Sequence, residues 1–288
     1  MTCCAECGLA FTDPRPKIEE IAGFYPPSYG GLERDDLLAR IEARFRHRQQ
    51  LEAVRWLAAL RPTRGRLLDA GCGAGDLLAA LRADGWHVAG VEPAAEAAEM
   101  ARRRHGLEVV TARFEDAPLS GEALDVVTLG GVLEHLHDPA AALRRAASLI
   151  HARGLVAVLF LPRFDSPEAR RFGDRWLALD LPRHLTHFDE KSLVRMAALA
   201  GLRVVHCEPY SSRHSAAQLV GSLAPGLQKH RFYAAEAARG SSSGRAVLAP
   251  WARRAALVAL ATAVRPWCRW EAAHGHGAVC SYFLEPTG

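Results

Sequence analysis

A glycine-rich turn between residues 69 and 76 is the stretch whose residue types and spacing point most directly to ligand binding. It reads Asp69-Ala70-Gly71-Cys72-Gly73-Ala74-Gly75-Asp76 and follows an apolar run. Glycines at this spacing tolerate positive φ and let a bulky ligand lie on the backbone, and the start of the helix predicted next offers unpaired N–H groups. A dinucleotide turn, G-x-G-x-x-G, would have its third glycine at position 76, where this chain has an aspartate. The turn therefore predicts a nucleotide-like ligand and disfavours one that carries a pyrophosphate.

A carboxylate at the end of the next apolar run is the second candidate ligand group. Glu92 follows that run directly and lies 17 residues after Gly75. A carboxylate at a strand end can accept hydrogen bonds from both ribose hydroxyls of an adenosine. A surface charge is the alternative, but the position between an apolar strand and Pro93 favours the ligand role.

Three histidines are candidates for moving a proton. His135 follows the predicted fourth strand, and His184 and His187 lie in the segment Pro-Arg-His-Leu-Thr-His-Phe at 182–188. A histidine of near-neutral pKa can take a proton from a reacting group. Each has a structural alternative, since His135 can satisfy a helix terminus and His184 can anchor its loop. Glu134, beside His135, is expected to be structural.

Alternating strands and helices must position these residues. Apolar runs predict seven strands, near 67–70, 86–91, 108–111, 124–129, 155–161, 203–207 and 278–284. The first five alternate with helical patterns, which predicts an α/β fold whose mostly parallel, Rossmann-like sheet carries helices on both faces. Because open α/β sheets place their chemistry at the carboxyl ends of the strands, Glu92 and His135 are expected at that edge.

These motifs resemble those of a known enzyme family. The turn from Asp69 to Gly75 is similar to motif I of the class I S-adenosylmethionine-dependent methyltransferases. Residues 127–139 and 182–188 are similar to a large bacterial family that includes the ubiquinone-biosynthesis O-methyltransferases and many sugar-locus methyltransferases. The resemblance covers residues 65–207, and it departs from the family at Ala152-Arg153-Gly154, where Pro-Gly-Gly is usual.

The resemblance implies the class I methyltransferase fold and S-adenosyl-L-methionine as cofactor. It implies methyl transfer, expected at a hydroxyl of a small-molecule or glycosyl acceptor, with one of the three histidines as base. Phe114 is expected to pack on the adenine ring and Glu115 to meet its edge, while Tyr25 and Tyr29 either cover the cofactor or pack the arm. The residues expected at the cofactor are Asp69, Gly71, Gly73, Gly75, Glu92, Phe114, Glu115, Leu129 and Tyr25.

Two other functions stay open at this point. One is a cofactor-binding module without catalysis, which the presence of all three histidines disfavours. The other is an NAD-dependent Rossmann oxidoreductase, which Asp76 and the short glycine spacing disfavour.

The chain is predicted to divide into five segments. These are an amino-terminal arm (1–31), a helical lead-in (32–61), the core (62–208), a helical insertion that can cap the acceptor (209–277) and the last strand (278–288). In the arm, Cys4 and Cys7 have the C-x-x-C-G spacing of half a zinc knuckle, but a structural zinc needs four ligands, so bound zinc is not expected. In families resembling this one another C-x-x-C usually lies upstream, so either the native start precedes Met1 or the ribbon has decayed.

Composition sets the outer limits of function. The chain carries 36 basic and 32 acidic side chains, a net charge of +4 with scattered arginines, which does not predict nucleic-acid binding. Dispersed cysteines and the lack of a signal pattern predict a cytoplasmic protein. The uncharged run 255–264 is too short to span a bilayer. The longer stretch 246–267 contains three arginines and can lie on an anionic lipid surface, but packing over the acceptor pocket is the favoured alternative.

Overall fold

The computed structural model describes residues 1–25, 37–119, 123–224 and 250–288. Tyr29 lies outside these ranges, as do parts of the arm, the lead-in and the insertion. The strands are β1 (Thr2–Cys3), β2 (Ala10–Phe11), β3 (Arg66–Ala70), β4 (His87–Val91), β5 (Val109–Val110), β6 (Leu124–Gly130), β7 (Ile150–Pro162), β8 (Thr186–His187), β9 (Leu202–Glu208) and β10 (Val279–Pro286). The helices are α1 (Ile18–Ile21), α2 (Leu37–Leu60), α3 (Asp76–Ala83), α4 (Ala95–His105), α5 (Pro139–Leu149), α6 (Pro167–Phe172), α7 (Glu190–Leu199), α8 (His214–Leu223), α9 (Pro250–Ala263) and α10 (Arg265–Ala273).

Seven of the strands form one sheet in the order β5-β4-β3-β6-β7-β10-β9. The first five in this order are parallel, and β10 is antiparallel to both β7 and β9. The predicted seven-stranded, mostly parallel sheet is confirmed. The chain leaves β3 toward β4 and returns on the other side at β6, so the carboxyl ends of β3 and β6 meet at a topological switch point, where such sheets bind ligands.

Helices cover both faces of this sheet because neighbouring residues of each strand point to opposite sides. Leu68 enters a core formed with Leu143 of α5 and Leu193 of α7. Leu67, the residue before it, enters a second core with Leu57 of α2 and further side chains from α3 and α4. Each fully buried leucine contributes about 2 kcal/mol of apolar transfer free energy, so both faces must be covered for the sheet to persist.

The insertion adds a third packed group of helices. Helix α8 contacts α9 and α10, and α9 also contacts α2. Phe172, Trp176, Leu219 and Cys268 belong to the apolar cluster that α8 and α10 form with α6 and the turn after it. Four large apolar side chains on α9 and α10 are exposed: Trp251, Leu260, Trp267 and Trp270. Contact with an anionic lipid surface stays a prediction. Among the described residues, no helix combines the length and the apolarity that crossing a membrane requires.

The amino-terminal arm forms a small antiparallel sheet that sequence reasoning did not foresee. Its strands β1 and β2 pair with each other, and β2 pairs with β8, with Ala10 opposite His187 and Phe11 opposite Thr186. The arm is therefore docked on the segment that carries two of the three candidate histidines. A two-residue strand has no periodicity to detect, which is why the pattern of apolar residues missed β8.

Glu168 of α6 is a buried carboxyl that the fold itself accommodates. Its side chain is buried, and the Trp176 indole Nε1–H donates to its Oε1 at 3.3 Å. Burial, and the nearby charge of Glu271, raise the pKa of Glu168 to about 8. The ordinary pKa of a glutamate in an unfolded chain is about 4.3. The folded state therefore binds one more proton than the unfolded state between these values, and the free energy of unfolding falls as the pH rises through that range.

We predict that Glu168→Gln removes this pH dependence. Glutamine keeps an oxygen to accept from Trp176 and carries no charge, so the variant should gain stability over the wild type by up to about 1.4 kcal/mol per pH unit until about pH 8. Urea unfolding at several pH values from 6.5 upward measures this difference, in which the contributions of all other titrating groups cancel. A difference that does not change with pH would contradict the prediction.

Candidate active site

The glycine turn joins β3 to α3 and has the backbone geometry that its residue types predict. Gly71, Gly73 and Gly75 all have positive φ, at 75°, 54° and 81°. The turn is held to the end of β4, where the Val91 carbonyl accepts from the backbone N–H groups of Gly71 at 2.7 Å and Cys72 at 3.1 Å. At each of the three positions, a residue with a side chain would destabilise this left-handed backbone conformation.

The three glycines differ in what lies over them. A Cβ on Gly71 would meet Val132 Cγ2 at 2.5 Å, and a Cβ on Gly75 would meet Leu107 Cδ1 at 2.5 Å. Among the described residues, and apart from its neighbours along the chain, a Cβ on Gly73 would have no atom within 4 Å. Gly71 and Gly75 are therefore required by packing within the protein, whereas Gly73 faces open space above the turn. The open approach that a bulky ligand needs is at Gly73.

Glu92 lies directly beside this open position. It is 8% exposed, and its two carboxylate oxygens accept from backbone N–H groups, Oε2 from Gly73 at 2.9 Å and Oε1 from Ala94 at 2.8 Å. Burial raises the pKa of Glu92 against the opposing effect of these two bonds. The N–H groups hold the carboxylate at the end of β4, and each oxygen has a further lone pair to offer a ligand.

Two other residues expected at the cofactor, Asp69 on β3 and Leu129 on β6, are buried. Asp69 accepts a 2.6 Å hydrogen bond from the Thr128 hydroxyl of the neighbouring strand β6, and burial raises the pKa of Asp69 to about 7. Leu129 is fully buried in the core on the α5 side. Asp69 thus links β3 to β6 beneath the turn, and its cofactor role stays a prediction.

The loop expected at the adenine is folded partly into the core. Phe114 is buried, and the Arg145 guanidinium carbon lies 5.6 Å from its ring centroid. Glu115 is half-buried, with one carboxylate oxygen 3.5 Å from Arg113 Nη2. Phe114 therefore packs its loop against the core. Glu115 is the better placed of the two to contact the edge of a bound adenine ring. Both assignments stay predictions.

The fold brings two of the three candidate histidines together. The rings of His135 and His184 stand nearly perpendicular, with centroids 4.6 Å apart. His135 closes a short 3-10 turn, Leu133–His135, after β6, and His184 precedes β8. The backbone joins the two segments directly, because Leu185 N–H donates to the Glu134 carbonyl at 2.8 Å.

Burial changes the titration of this pair. Burial first, and then the nearby His184 ring, lower the pKa of His135 to about 3. Burial likewise lowers the pKa of His184 to about 3. The prediction that these histidines have a near-neutral pKa is therefore wrong for both rings. Both imidazoles are neutral at physiological pH, and each keeps one nitrogen lone pair available.

His187 lines the same small cavity as Glu134 and His184, and it also contacts the arm. Thr12 donates its only hydroxyl hydrogen to the His184 carbonyl at 2.6 Å, so at 3.3 Å its oxygen accepts from Nε2–H of His187. The ring centroids of His187 and Phe164 are 5.7 Å apart, and burial lowers the pKa of His187 to about 4. These contacts tie His187 to the arm.

Glu134 completes the pair as a buried carboxyl. Within the part of the chain that the structure describes, its Oε2 has no hydrogen-bond partner, and burial raises the pKa of Glu134 to about 8. Glu134, His135 and His184 each place a potential metal-ligand atom within 4.8 Å of the others. Sequence spacing could not reveal this grouping, because His184 is distant along the chain. Cys4 and Cys7 are free thiols at the start of the arm, and their half zinc knuckle stays a prediction.

The residues at the turn suit an adenosine-containing ligand. Gly73 leaves the backbone open, the Glu92 carboxylate is oriented beside it, and both lie at the switch point of a parallel sheet. The fold and the residues at the turn define an α/β protein that binds a nucleoside-containing ligand. The family model described as a methyltransferase domain matches residues 43–207, more than half of the chain, and the chain belongs to this family. Residues 43–207 therefore form a methyltransferase domain of the S-adenosylmethionine-dependent class.

Curated relatives match the same part of the chain. The ubiquinone biosynthesis O-methyltransferase of Albidiferax ferrireducens is 35% identical over 127 residues, which is 40% of this chain and 50% of that protein. The protein of the same name from Aeromonas salmonicida is 33% identical over 167 residues, 51% of this chain and 69% of that protein. The chain thus spans about half the length of the first relative and rather more of the second.

Solved structures include similar chains at lower identity. A possible histamine N-methyltransferase from Thermotoga maritima matches 58% of this chain and 74% of its own, with 24% identity and a TM-score of 0.46. Magnesium protoporphyrin IX methyltransferase from Synechocystis, solved with bound S-adenosylhomocysteine, matches 62% of this chain and 82% of its own, with 18% identity and a TM-score of 0.49. The family assignment rests on residues 43–207 and the curated relatives.

We predict that Gly73→Val abolishes S-adenosylmethionine binding and leaves the fold intact. The side chain has room in the protein but fills the open space above the turn, at a backbone cost of about 1–2 kcal/mol. Calorimetry measures the affinity, and thermal unfolding measures the stability. Gly75→Val is the matched control, since its side chain must displace Leu107 and Ala101, and it should lower stability much more. Normal affinity in folded Gly73→Val would contradict this view of the turn.

We also predict that Glu92→Gln weakens S-adenosylmethionine binding by about 1.5–3 kcal/mol, the range for hydrogen bonds to a charged group. The amide keeps the size of the side chain and one oxygen for a backbone N–H, so the turn should persist. Glu96→Gln, an exposed carboxyl in the first turn of α4, is the control and should bind normally. Equal affinities in the two variants would remove Glu92 from the cofactor site.

Proposed function

We propose that the protein methylates a hydroxyl oxygen of a small-molecule or sugar-containing acceptor, with a phenolic hydroxyl favoured. The observation that carries the proposal is the pair of neutral imidazoles, His135 and His184, next to the glycine turn. The loop that carries His135 contains Val132, whose side chain packs over Gly71. The proton-accepting pair is therefore held against the predicted cofactor site.

The chain has two tasks in such a reaction. When bound, S-adenosylmethionine supplies the methyl group as an electrophilic sulfonium. The protein must hold the acceptor oxygen in line with that group, and it must receive the hydroxyl proton as the oxygen attacks. A neutral imidazole nitrogen of His135 or His184 is available for the proton. Asp180 Oδ2 lies 3.7 Å from His184 Nε2, so a negative charge is near when that ring becomes positive.

The low pKa of the pair bears on the kind of acceptor. An imidazole with a pKa near 3 is a weak base, so proton transfer to it is less unfavourable from an acidic hydroxyl than from an ordinary alcohol. A phenol, with a pKa of about 10 as in tyrosine, is such a hydroxyl. The curated relatives are named ubiquinone biosynthesis O-methyltransferases, which supports transfer to oxygen. Phenols and catechols are therefore favoured over sugar hydroxyls.

The acceptor class is tested with methyl-labelled S-adenosylmethionine. The purified protein is incubated with a panel of catechols, simple phenols, aryl glycosides and primary amines, and mass spectrometry locates the label. Label on a phenolic oxygen is the expected result. Label on nitrogen alone, or on an aliphatic sugar hydroxyl in preference to a phenol, would overturn the assignment.

We predict that His184→Ala and His135→Ala each lower kcat by about two to four powers of ten and change cofactor affinity little, as expected for a base that acts as the methyl group moves. Raising the pH should partly restore turnover, because the phenol then ionises by itself. His137→Ala is the control, since its ring faces the Pro16 carbonyl at 2.9 Å and not the histidine pair. Normal turnover in both active-site variants would show that neither histidine takes the proton.

A further inference from the structure

We propose that Tyr25, in the amino-terminal arm, is a positioning residue that holds the His135 ring with Nδ1 protonated and Nε2 free. The inference rests on the proposed function, in which His135 belongs to the proton-accepting pair. It differs from the cofactor lid that the sequence suggests for Tyr25, and it makes the arm part of the active site.

Tyr25 touches both of the segments that carry the histidine pair. Its hydroxyl oxygen lies 3.1 Å from Nδ1 of His135, and the two ring centroids are 6.2 Å apart. The guanidinium carbon of Arg183, next to His184 in the chain, lies 5.4 Å from the centroid of the tyrosine ring. One arm residue thus contacts the loop after β6 and the segment before β8.

Carbonyl groups decide where the protons of the two imidazoles reside. Nδ1 of His135 is also 3.1 Å from the Arg183 carbonyl oxygen, which can only accept. Nδ1 must therefore carry the hydrogen, and it is shared between that carbonyl and the Tyr25 oxygen. Nδ1 of His184 is 2.8 Å from the Ala178 carbonyl and is protonated for the same reason. Both rings consequently keep their lone pair on Nε2.

The rest of the arm explains why Tyr25 can hold a fixed position. Arg15 Nη1 donates to the His137 carbonyl at 2.9 Å, and Thr12 N–H donates to the Leu185 carbonyl at 3.0 Å. The arm is therefore fastened to each histidine segment before the chain reaches Tyr25. A rigid support of this kind lets a single hydroxyl fix a ring orientation, because little further ordering is required.

Tyr25→Phe isolates the hydroxyl from the ring. Phenylalanine keeps the aromatic face on which Arg183 rests, and the Asp180 carboxylate continues to accept from the Arg183 guanidinium. The variant removes the Tyr25 oxygen and leaves the Arg183 carbonyl as an acceptor of His135 Nδ1–H. Phe24→Leu is the matched control, because it alters the neighbouring aromatic residue, which is exposed.

The test is nitrogen NMR of the full chain with isotope-labelled histidine, with His135→Asn used to assign the signals. In the wild type, His135 should show protonated Nδ1 and unprotonated Nε2. In Tyr25→Phe, exchange of the Nδ1 hydrogen with solvent should rise about fivefold or more, the equivalent of one ordinary hydrogen bond, and Phe24→Leu should match the wild type. Calorimetric affinity for S-adenosylmethionine should stay within about twofold of the wild type, since no bond to the cofactor is removed.

Three results would overturn the proposal. The first is a wild-type His135 protonated on Nε2, which requires no variant to observe. The second is unchanged exchange in Tyr25→Phe. The third is a loss of cofactor affinity in Tyr25→Phe with His135 unaltered, which would make Tyr25 a lid. If no phenol is methylated, the proposed function fails while these NMR results still stand, so the two failures are distinguishable.

Discussion

The lack of a side chain at Gly71 is the constraint on which the arrangement of this protein depends most. The space that a Cβ would take is filled by Val132, so the loop after β6 rests directly on the turn after β3. Because β3 and β6 are parallel neighbours, their carboxyl ends already lie side by side, and this contact fixes how closely the two connections approach. The glycine turn offers its open side at Gly73, and the same loop goes on to carry His135. The predicted cofactor site and the proposed proton acceptor are therefore positioned by one contact.

Burying several titratable groups at this edge creates a demand for hydrogen-bond partners. Buried polar atoms without partners are costly, and most proteins satisfy nearly all of them. Here the partners come from backbone carbonyls, as at Ala178 and Arg183, and from the arm, as at Thr12 and Tyr25. The arm thus supplies polar contacts that the core strands, already paired within the sheet, cannot offer. By docking on β8, the arm both completes its own small sheet and provides hydrogen-bond partners for His187 and His135.

Burying His135 and His184 beside Glu134 lowers the stability of the protein. Burial lowers the pKa of both histidines and raises that of Glu134, so all three are kept in their neutral forms. Neutral groups avoid the large penalty of burying a charge, but Glu134 Oε2 still lacks a hydrogen-bond partner among the described residues. Active sites commonly retain such unsatisfied groups because the geometry that serves the reaction is not the one that maximises stability. Away from this edge, the paired cores on the two faces of the sheet support that arrangement.

The sequence by itself determined the sheet and the turn, because both depend on local patterns. Alternating apolar runs and helical periodicity predict the seven strands, and three glycines in a five-residue window allow the positive φ values that are found. Only the tertiary structure decided which glycine faces a ligand, since that depends on side chains as distant as Val132 and Leu107. It also decided that Phe114 is buried, that the arm pairs with β8, and that the rings of His135 and His184 meet. These contacts join residues far apart along the chain through elements of two or three residues, and such elements leave no periodic signal in the sequence.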